Sequence, residues 1–230
     1  MERKYILEIS VESVAAALAA ERGGADRIEL CGNLSVGGVT PSAELMSAAR
    51  EQLRIPIFTM IRPRAGNFVY SDTELDTMKK EIDSAKKLGI DGAVLGILDS
   101  TRQIDVVRTR ELVELAQPLP TTFHRAFDEC GDLLHALEDV IRTGAARILT
   151  SGGAPTASHG TVTLASLVAA AQNRIVILPG AGINASNIAE IAEKTRAREF
   201  HSGLGSTLPY GSRNYRVFET EVRKMTNLLG

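Results

Sequence analysis

The chain has 230 residues, 44% of them hydrophobic and 23% charged, with 26 basic against 28 acidic side chains and a net charge of −2. That balance provides for a large buried core and excludes a global field aimed at nucleic acid or an anionic membrane, so any charge-driven recognition has to be local. Two cysteines are too few for a disulfide scaffold and suit reduced thiols in the cytosol.

The N-terminal MERKYILEIS places basic residues ahead of an apolar stretch, as a secretory leader would, but Glu8 and Glu12 interrupt it and it reads as a strand leading into a helix. No run approaches the roughly 18–20 apolar residues of a membrane span. The expectation is a complete, soluble, cytoplasmic chain. Strand-like runs then follow at regular intervals: YILEIS (5–10), RIELC (27–31), IPIFTMI (55–61), GAVLGIL (92–98), PTTFH (120–124), RILTS (147–151), RIVILP (174–179) and EFHSG (199–203). Each precedes an apolar pattern of helical period. Thr40-Pro41 reads as an N-cap with proline at the first helical position, Ser71 with Glu74 as a capping box, and Asp132 as the cap of LLHALEDVI.

Eight strand–helix units in 230 residues allow about 29 residues each, which suits an α/β architecture closed as a (β/α)₈ TIM barrel. A doubly wound open sheet is the competing arrangement. GGADRIEL at 23–30 is echoed by TGAARILT at 143–150, so strands two and six correspond across half of an eightfold ring. No linker or low-complexity segment breaks the series, and residues 1–230 are expected to form one barrel domain.

In such barrels the carboxyl ends of the strands are the working face. The polar residues of this chain fall there. Side chains on a strand repeat every two residues, so Glu8 shares a face with Ser10, and Glu29 with Cys31. Inward glutamates near inward cations make sense as a polar cluster. Strand three runs into IRPRAGNF, whose Arg62 and Arg64 flank a proline and form a candidate fork for a carboxylate or phosphate, or partners for Glu8 and Glu29. FHRAFD offers His124 as a general acid or base with Asp128 as a candidate orienting partner, and His201 has a comparable claim. His135 and His159 read as surface residues. PGAGIN and HSGLGS follow strands seven and eight, where barrels present backbone N–H groups to phosphate, making Gly180, Gly182, Gly203 and Gly205 candidate anion binders.

No metal motif of standard ligand spacing occurs. Cys31 and Cys130 both lie just after strands, and two thiolates would suit Cu(I) better than Mg²⁺ or Ca²⁺. Two unrelated free thiols are the plainer reading.

LEIS, GADRIELC, GGVTPS, IRPRAGNFVYSD, TFHRAFD, ILTSGG, GAGI and HSG occur in this order. With them the chain resembles the copper homeostasis protein family, CutC, over nearly its whole length. The resemblance implies a (β/α)₈ barrel, a cytoplasmic location, a role in copper tolerance or trafficking, and copper binding through cysteine. Cys31, in the matching ELC, is then the carried-over ligand candidate, with Cys130 after HRAFD as a second. Some members of that family carry cysteines where this chain has Ser10 and Val11, so no thiolate is offered at the end of strand one. IRPR, HRAFD, TSGG and GAGI are not soft-metal chemistry and look like an anion site with acid and base residues. Two expectations therefore stand together: a copper homeostasis protein binding Cu(I) through cysteine, and an enzyme acting on a small anionic, phosphorylated or carboxylated metabolite. The expected partner is a small anionic ligand, without nucleic acid or membrane, and nothing in the pattern excludes a homo-oligomer.

Overall fold

Runs of β-branched and apolar residues alternate with capped amphipathic stretches, and the chain resolves that alternation into strands and helices in strict turn. The computed structural model describes residues 5–204 and 213–230. In chain order the elements are β1 (Ile6–Val11), α1 (Val14–Gly23), β2 (Arg27–Leu30), α2 (Ala43–Gln52), β3 (Ile57–Met60), α3 (Asp72–Lys87), β4 (Gly92–Leu95) and α4 (Val106–Ala116). The second half continues with β5 (Thr121–Phe123), α5 (Leu133–Thr143), β6 (Arg147–Thr150), α6 (Thr161–Ala171), β7 (Val176–Pro179), α7 (Ile188–Thr195), β8 (Glu199–Ser202) and α8 (Tyr215–Leu229).

All the ladders are parallel and run β7-β6-β5-β4-β3-β2-β1-β8. β8 comes back beside β7, so the sheet is a nearly closed TIM barrel rather than an open doubly wound sheet. Alternation along each strand sorts the side chains. Leu7, Ile9, Ile28, Leu30 and Ile57 point outward and bury themselves against Ala17, Ala20, Met46 and Ala49 of the surrounding helices. The opposite faces of β1, β2 and β8 carry Glu8, Arg27, Glu29 and His201 into the barrel.

The helix signals were mostly sound. Ser71 and Glu74 exchange both bonds of a capping box, and Asp132 Oδ1 accepts from the N–H groups of Leu134 and His135 at 3.0 Å. The expected cap at Thr40-Pro41 is displaced by two residues. Ser42 Oγ accepts from Leu45 N–H and caps α2, while Thr40 Oγ1 accepts from Arg62 N–H and donates to Glu81. The half-barrel echo has a structural meaning as well. Gly24 and Gly144 end α1 and α5 in the left-handed region, at φ 93° and 83°, and each then feeds a strand that opens with an arginine, Arg27 or Arg147.

Those arginines need a flat surface, and Phe58 supplies it. Arg27 and Arg147 lie 4.8 and 5.3 Å from the centroid of its ring. The ring fits because β4 opens with glycine: a Cβ on Gly92 would meet Phe58 atoms at 2.5 Å. Gly92→Ala is therefore expected to lower stability by about 1–3 kcal/mol through overpacking, measured by urea denaturation, and combining it with Phe58→Leu should recover part of the loss.

Candidate functional site

The site begins below the mouth, with a buried ion network. Arg27 donates from Nε to Glu8 Oε2 and from Nη2 to Glu199 Oε2 at 2.6 Å, and Arg147 donates from Nε to the same Glu199 oxygen at 2.9 Å. Three acids and two arginines share this interior, and the sixth titratable partner is His201. Its Nδ1 lies 2.7 Å from Glu8 Oε1, and its Nε2 lies 3.8 Å from Glu29 Oε2. Neighbouring strands impose this meeting, since Glu8 is in register with Arg27 on β2 and with His201 on β8.

The electrostatics follow from the geometry. Burial pushes the Glu8 carboxyl up, but the Arg27 guanidinium and His201 outweigh that and hold it at about 2. Glu8 is therefore an acceptor at neutral pH, and the hydrogen on His201 sits on Nδ1. Burial lowers His201, yet the charge of Glu29 and the bond and charge of Glu8 raise it overall. Burial is also the main cause raising Glu29, with Glu8 adding to it. His201 and Glu29 thus both hold a proton more tightly than usual, side by side.

Above this pair opens a cavity of about 620 Å³, lined by Glu29, His201, Arg62, His124, Arg125 and the loops after β6, β7 and β8. The structure brings several of the candidates to it, but not all in the role expected. Arg62 is buried and lines the cavity, but it does not pair with Glu8 or Glu29. Its Nη1 donates to the carbonyls of Val36 and Gly38 and its Nη2 to that of Gly66, over the Phe68 ring at 4.7 Å. It pins the turn after β2 across the mouth. Arg64 is not part of the cavity lining. It pairs with Glu74 at the start of α3 and stacks on Tyr70. Arg62 and Arg64 would share a face on a continuing strand, but β3 ends at Met60 and the alternation ends with it.

His124 is buried at the cavity wall, and Asp128 does not orient it. Its Nδ1 accepts from Ala126 N–H at 3.3 Å, whereas Asp128 binds Arg125, the hydroxyls of Thr150 and Ser151, and the N–H groups of Ser151 and Gly153. Asp128 is the anchor of the loop after β6. Burial, with help from the Arg62 charge, depresses His124 to about 3 and keeps it neutral.

Gly182 and Gly203 line the cavity. Gly180 is a packing residue, since a Cβ there would meet Leu149 at 2.5 Å and His201 at 3.4 Å. Gly205 lies outside the described residues. Ala181, between two of these glycines, holds φ 73° on the cavity wall.

The two cysteines occupy different environments. Cys31 is fully buried among Phe58, Met60 and Val94, and its Sγ donates to Glu29 Oε2 at 3.5 Å. Burial and the nearby Glu29 charge push its thiol well up. Cys130 lines a separate small pocket with Ile104, His135 and Asp139, and burial pushes it up to about 11. Neither setting favours a thiolate. Among the described residues, the donor atoms of Glu8, Glu29 and His201 lie within 4.8 Å of one another, close enough for a metal ion. Glu8 is already engaged on both oxygens, and an O,O,N set does not suit soft Cu(I).

Sequence reasoning missed Arg27, Arg147 and Glu199, and it gave Arg125 no role. Arg125 is partly exposed at the cavity, with Nε on Asp128 and Nη2 on Ser151 Oγ. The missed signal was available: Arg27 stands two residues before Glu29, and Glu199 two before His201, each on the same strand face.

Comparison with known proteins places the chain among relatives. The sequence pattern of the CutC family matches residues 5–206. The family protein CutC of Xylella fastidiosa is 46% identical over 202 residues, covering 88% of this chain and 76% of the relative. The human copper homeostasis protein cutC homolog is 45% identical over 207 residues, covering 90% and 76%. A crystal structure of CutC from Streptococcus agalactiae superposes with a TM-score of 0.82 at 35% identity, covering 86% of this chain and 98% of that one. Monomers of phosphoribosylanthranilate isomerase from Thermotoga maritima share the barrel alone, at 13% identity and a TM-score of 0.64.

The neutral His124 makes stability depend on pH. From its ordinary value of 6.5 down to about 3, the unfolded imidazole carries a proton that the native one lacks, so acidification in this window destabilises the fold. Glu29, raised in the native state, works in the opposite sense. The stability gap between wild type and His124→Asn isolates the imidazole and should narrow as pH falls from about 6.5 toward 4 in urea titrations. A gap independent of pH would show that His124 is protonated in the fold.

Proposed function

The chain belongs to the CutC family, and on that footing we propose that it acts at the mouth of the barrel, where it binds a small anionic metabolite and moves a proton with His201 and Glu29. The observation that supports this most is the Glu8–His201 contact at 2.7 Å beneath an open cavity, with Glu29 beside it. A buried carboxylate that fixes one imidazole nitrogen leaves the other to exchange protons, the arrangement used by general acid–base sites. Arg125 and the charge of Arg62 supply the attraction for an anion, and the turns at Ala181–Gly182 and Gly203 bring backbone close to it. The role in the cell under this reading is copper homeostasis, as the human relative is named, and its proposed place is the cytoplasm. No helix among the described residues is long and apolar enough to cross a membrane. A metabolic activity at this cavity alters copper tolerance indirectly.

Direct copper handling is a second reading, and one contact favours it. The Cys31 thiol and the methyl end of Met60 crowd the same glycine: a Cβ on Gly38 would stand 3.0 Å from Cys31 Sγ and 3.6 Å from Met60 Cε. Thiol and thioether together are Cu(I) ligands. Binding there has to expel a proton from a thiol that burial and Glu29 hold in its protonated form.

Two measurements separate these readings. Thermal shift against a panel of small phosphates and carboxylates should find a stabilising ligand for the wild type whose effect is lost in Arg125→Leu; no stabilising ligand would overturn the anion site. Titration of anaerobically reduced protein with Cu(I) against a competing chelator should show weak binding that Cys31→Ser leaves unchanged. Tight stoichiometric binding lost in Cys31→Ser would transfer the function to the thiol.

A further inference from the structure

We propose that the cavity catalyses the reversible removal of a proton from the carbon beside a carbonyl group, in a small hydroxy-carbonyl compound bearing a phosphate or carboxylate, with Glu29 as base and His124 donating to the carbonyl oxygen. The inference rests on the reading of the cavity as an anion site and deepens it.

Its starting point is a set of unmade hydrogen bonds. Glu29 Oε1, His124 Nε2 and Arg62 Nε are buried without a partner among the described residues, and all three side chains line this one cavity. A buried polar atom left without its hydrogen bond is destabilising, so native structures retain few unless a ligand or function uses them. The three are complementary in type: an acceptor, a neutral donor and a charged donor.

The donor is fixed as to which nitrogen carries the hydrogen. Ala126 N–H donates to His124 Nδ1, so the hydrogen is on Nε2. The ring is clamped between Phe68, at 4.8 Å between centroids, and Gly96, where a Cβ would stand 2.6 Å from Nδ1. A neutral imidazole N–H held this way is a known device for polarising a carbonyl, since its acidity is close to that of the enol being formed. Burial and Arg62 keep this imidazole neutral. On the acceptor side, Glu29 Oε2 is engaged by Cys31 and Oε1 is not. His201 Nε2 lies 3.8 Å from Oε2, the other oxygen of that carboxyl.

The chemistry balances without a further reagent. The C–H bond beside the carbonyl breaks and its proton goes to Glu29 Oε1. The C–H electron pair becomes a C=C bond, and the carbonyl π pair moves onto oxygen, where His124 Nε2–H stabilises the developing charge. Return of the proton to the same carbon from the opposite face epimerises the compound; return to the former carbonyl carbon isomerises it, with the hydroxyl proton passing to the enolate oxygen as the hydroxyl-bearing carbon becomes the new carbonyl. No oxidant, reductant or metal is consumed.

The test incubates the full chain in D₂O with dihydroxyacetone phosphate, ribose 5-phosphate and hydroxypyruvate and follows loss of the α-proton signal by NMR. Binding of 2-phosphoglycolate, a mimic of the enolised form, is measured in parallel by calorimetry. At least one probe should exchange at least ~100-fold faster with wild type than with Glu29→Gln, while Glu29→Gln still binds 2-phosphoglycolate and melts near the wild-type temperature. His124→Gln should slow exchange about 10²–10³-fold. If 2-phosphoglycolate binds through Arg125 but no probe exchanges above the Glu29→Gln background, the enolisation is wrong and the anion site stands. If 2-phosphoglycolate fails to bind, both are wrong. Exchange that His124→Gln leaves intact would remove His124 from the reaction.

Discussion

The guanidinium of Arg27, holding Glu8 on one side and Glu199 on the other inside the barrel, is the interaction on which the rest of the structure depends. Placing charge at the centre of a barrel is costly, and removing one partner of a buried pair typically costs about 3–5 kcal/mol because the other charge is left stranded. Here each charge has more than one partner. Glu199 takes Arg27 and Arg147, Glu8 takes Arg27 and His201, and Phe58 lies against both guanidiniums. The glycine at the head of β4 is the steric condition for that ring, so a residue with no side chain is tied to the electrostatics of a site two strands away.

That network decides what the mouth of the barrel can do. By holding Glu8 at about 2 it keeps a full negative charge against His201 Nδ1, which orients the imidazole and raises its hold on a proton. Glu29, one strand from Glu8, has no guanidinium ion pair among the described residues, and burial raises it instead. Two carboxylates of the same barrel are thereby driven in opposite directions by their surroundings, a separation that under the proposed function leaves one to orientation and the other to proton transfer. The thiol of Cys31 sits behind Glu29 as its hydrogen-bond donor, and this explains why a core strand carries a glutamate and a cysteine on one face.

Much of this was legible in the sequence, for physical reasons that also mark where legibility ended. Periodicity and capping residues announced the eight strands and their helices, and the echo between residues 23–30 and 143–150 announced the ring. Glu8, Glu29 and His201 could be grouped because strand alternation is strict as long as the strand lasts. Arg64 escaped its expected place because the chain leaves β3 at Met60, after which spacing carries no direction. Asp128 escaped because the turn 125–129 carries it to the β6 loop, where several N–H and O–H donors outbid one imidazole. Arg27 and Glu199 open their strands, positions where charge commonly marks an exposed end. Only the tilt and closure of the barrel turn them into its interior.

The measurement that bears most directly on this account is a ¹⁵N NMR titration of the His201 imidazole in the reduced protein. The account predicts that Nδ1 keeps its hydrogen throughout and that Nε2 titrates above the ordinary histidine value of 6.5. An imidazole that carries its hydrogen on Nε2 when neutral, or that titrates below 6.5, would contradict it, because Glu8 would then not be the charge that holds His201 in place.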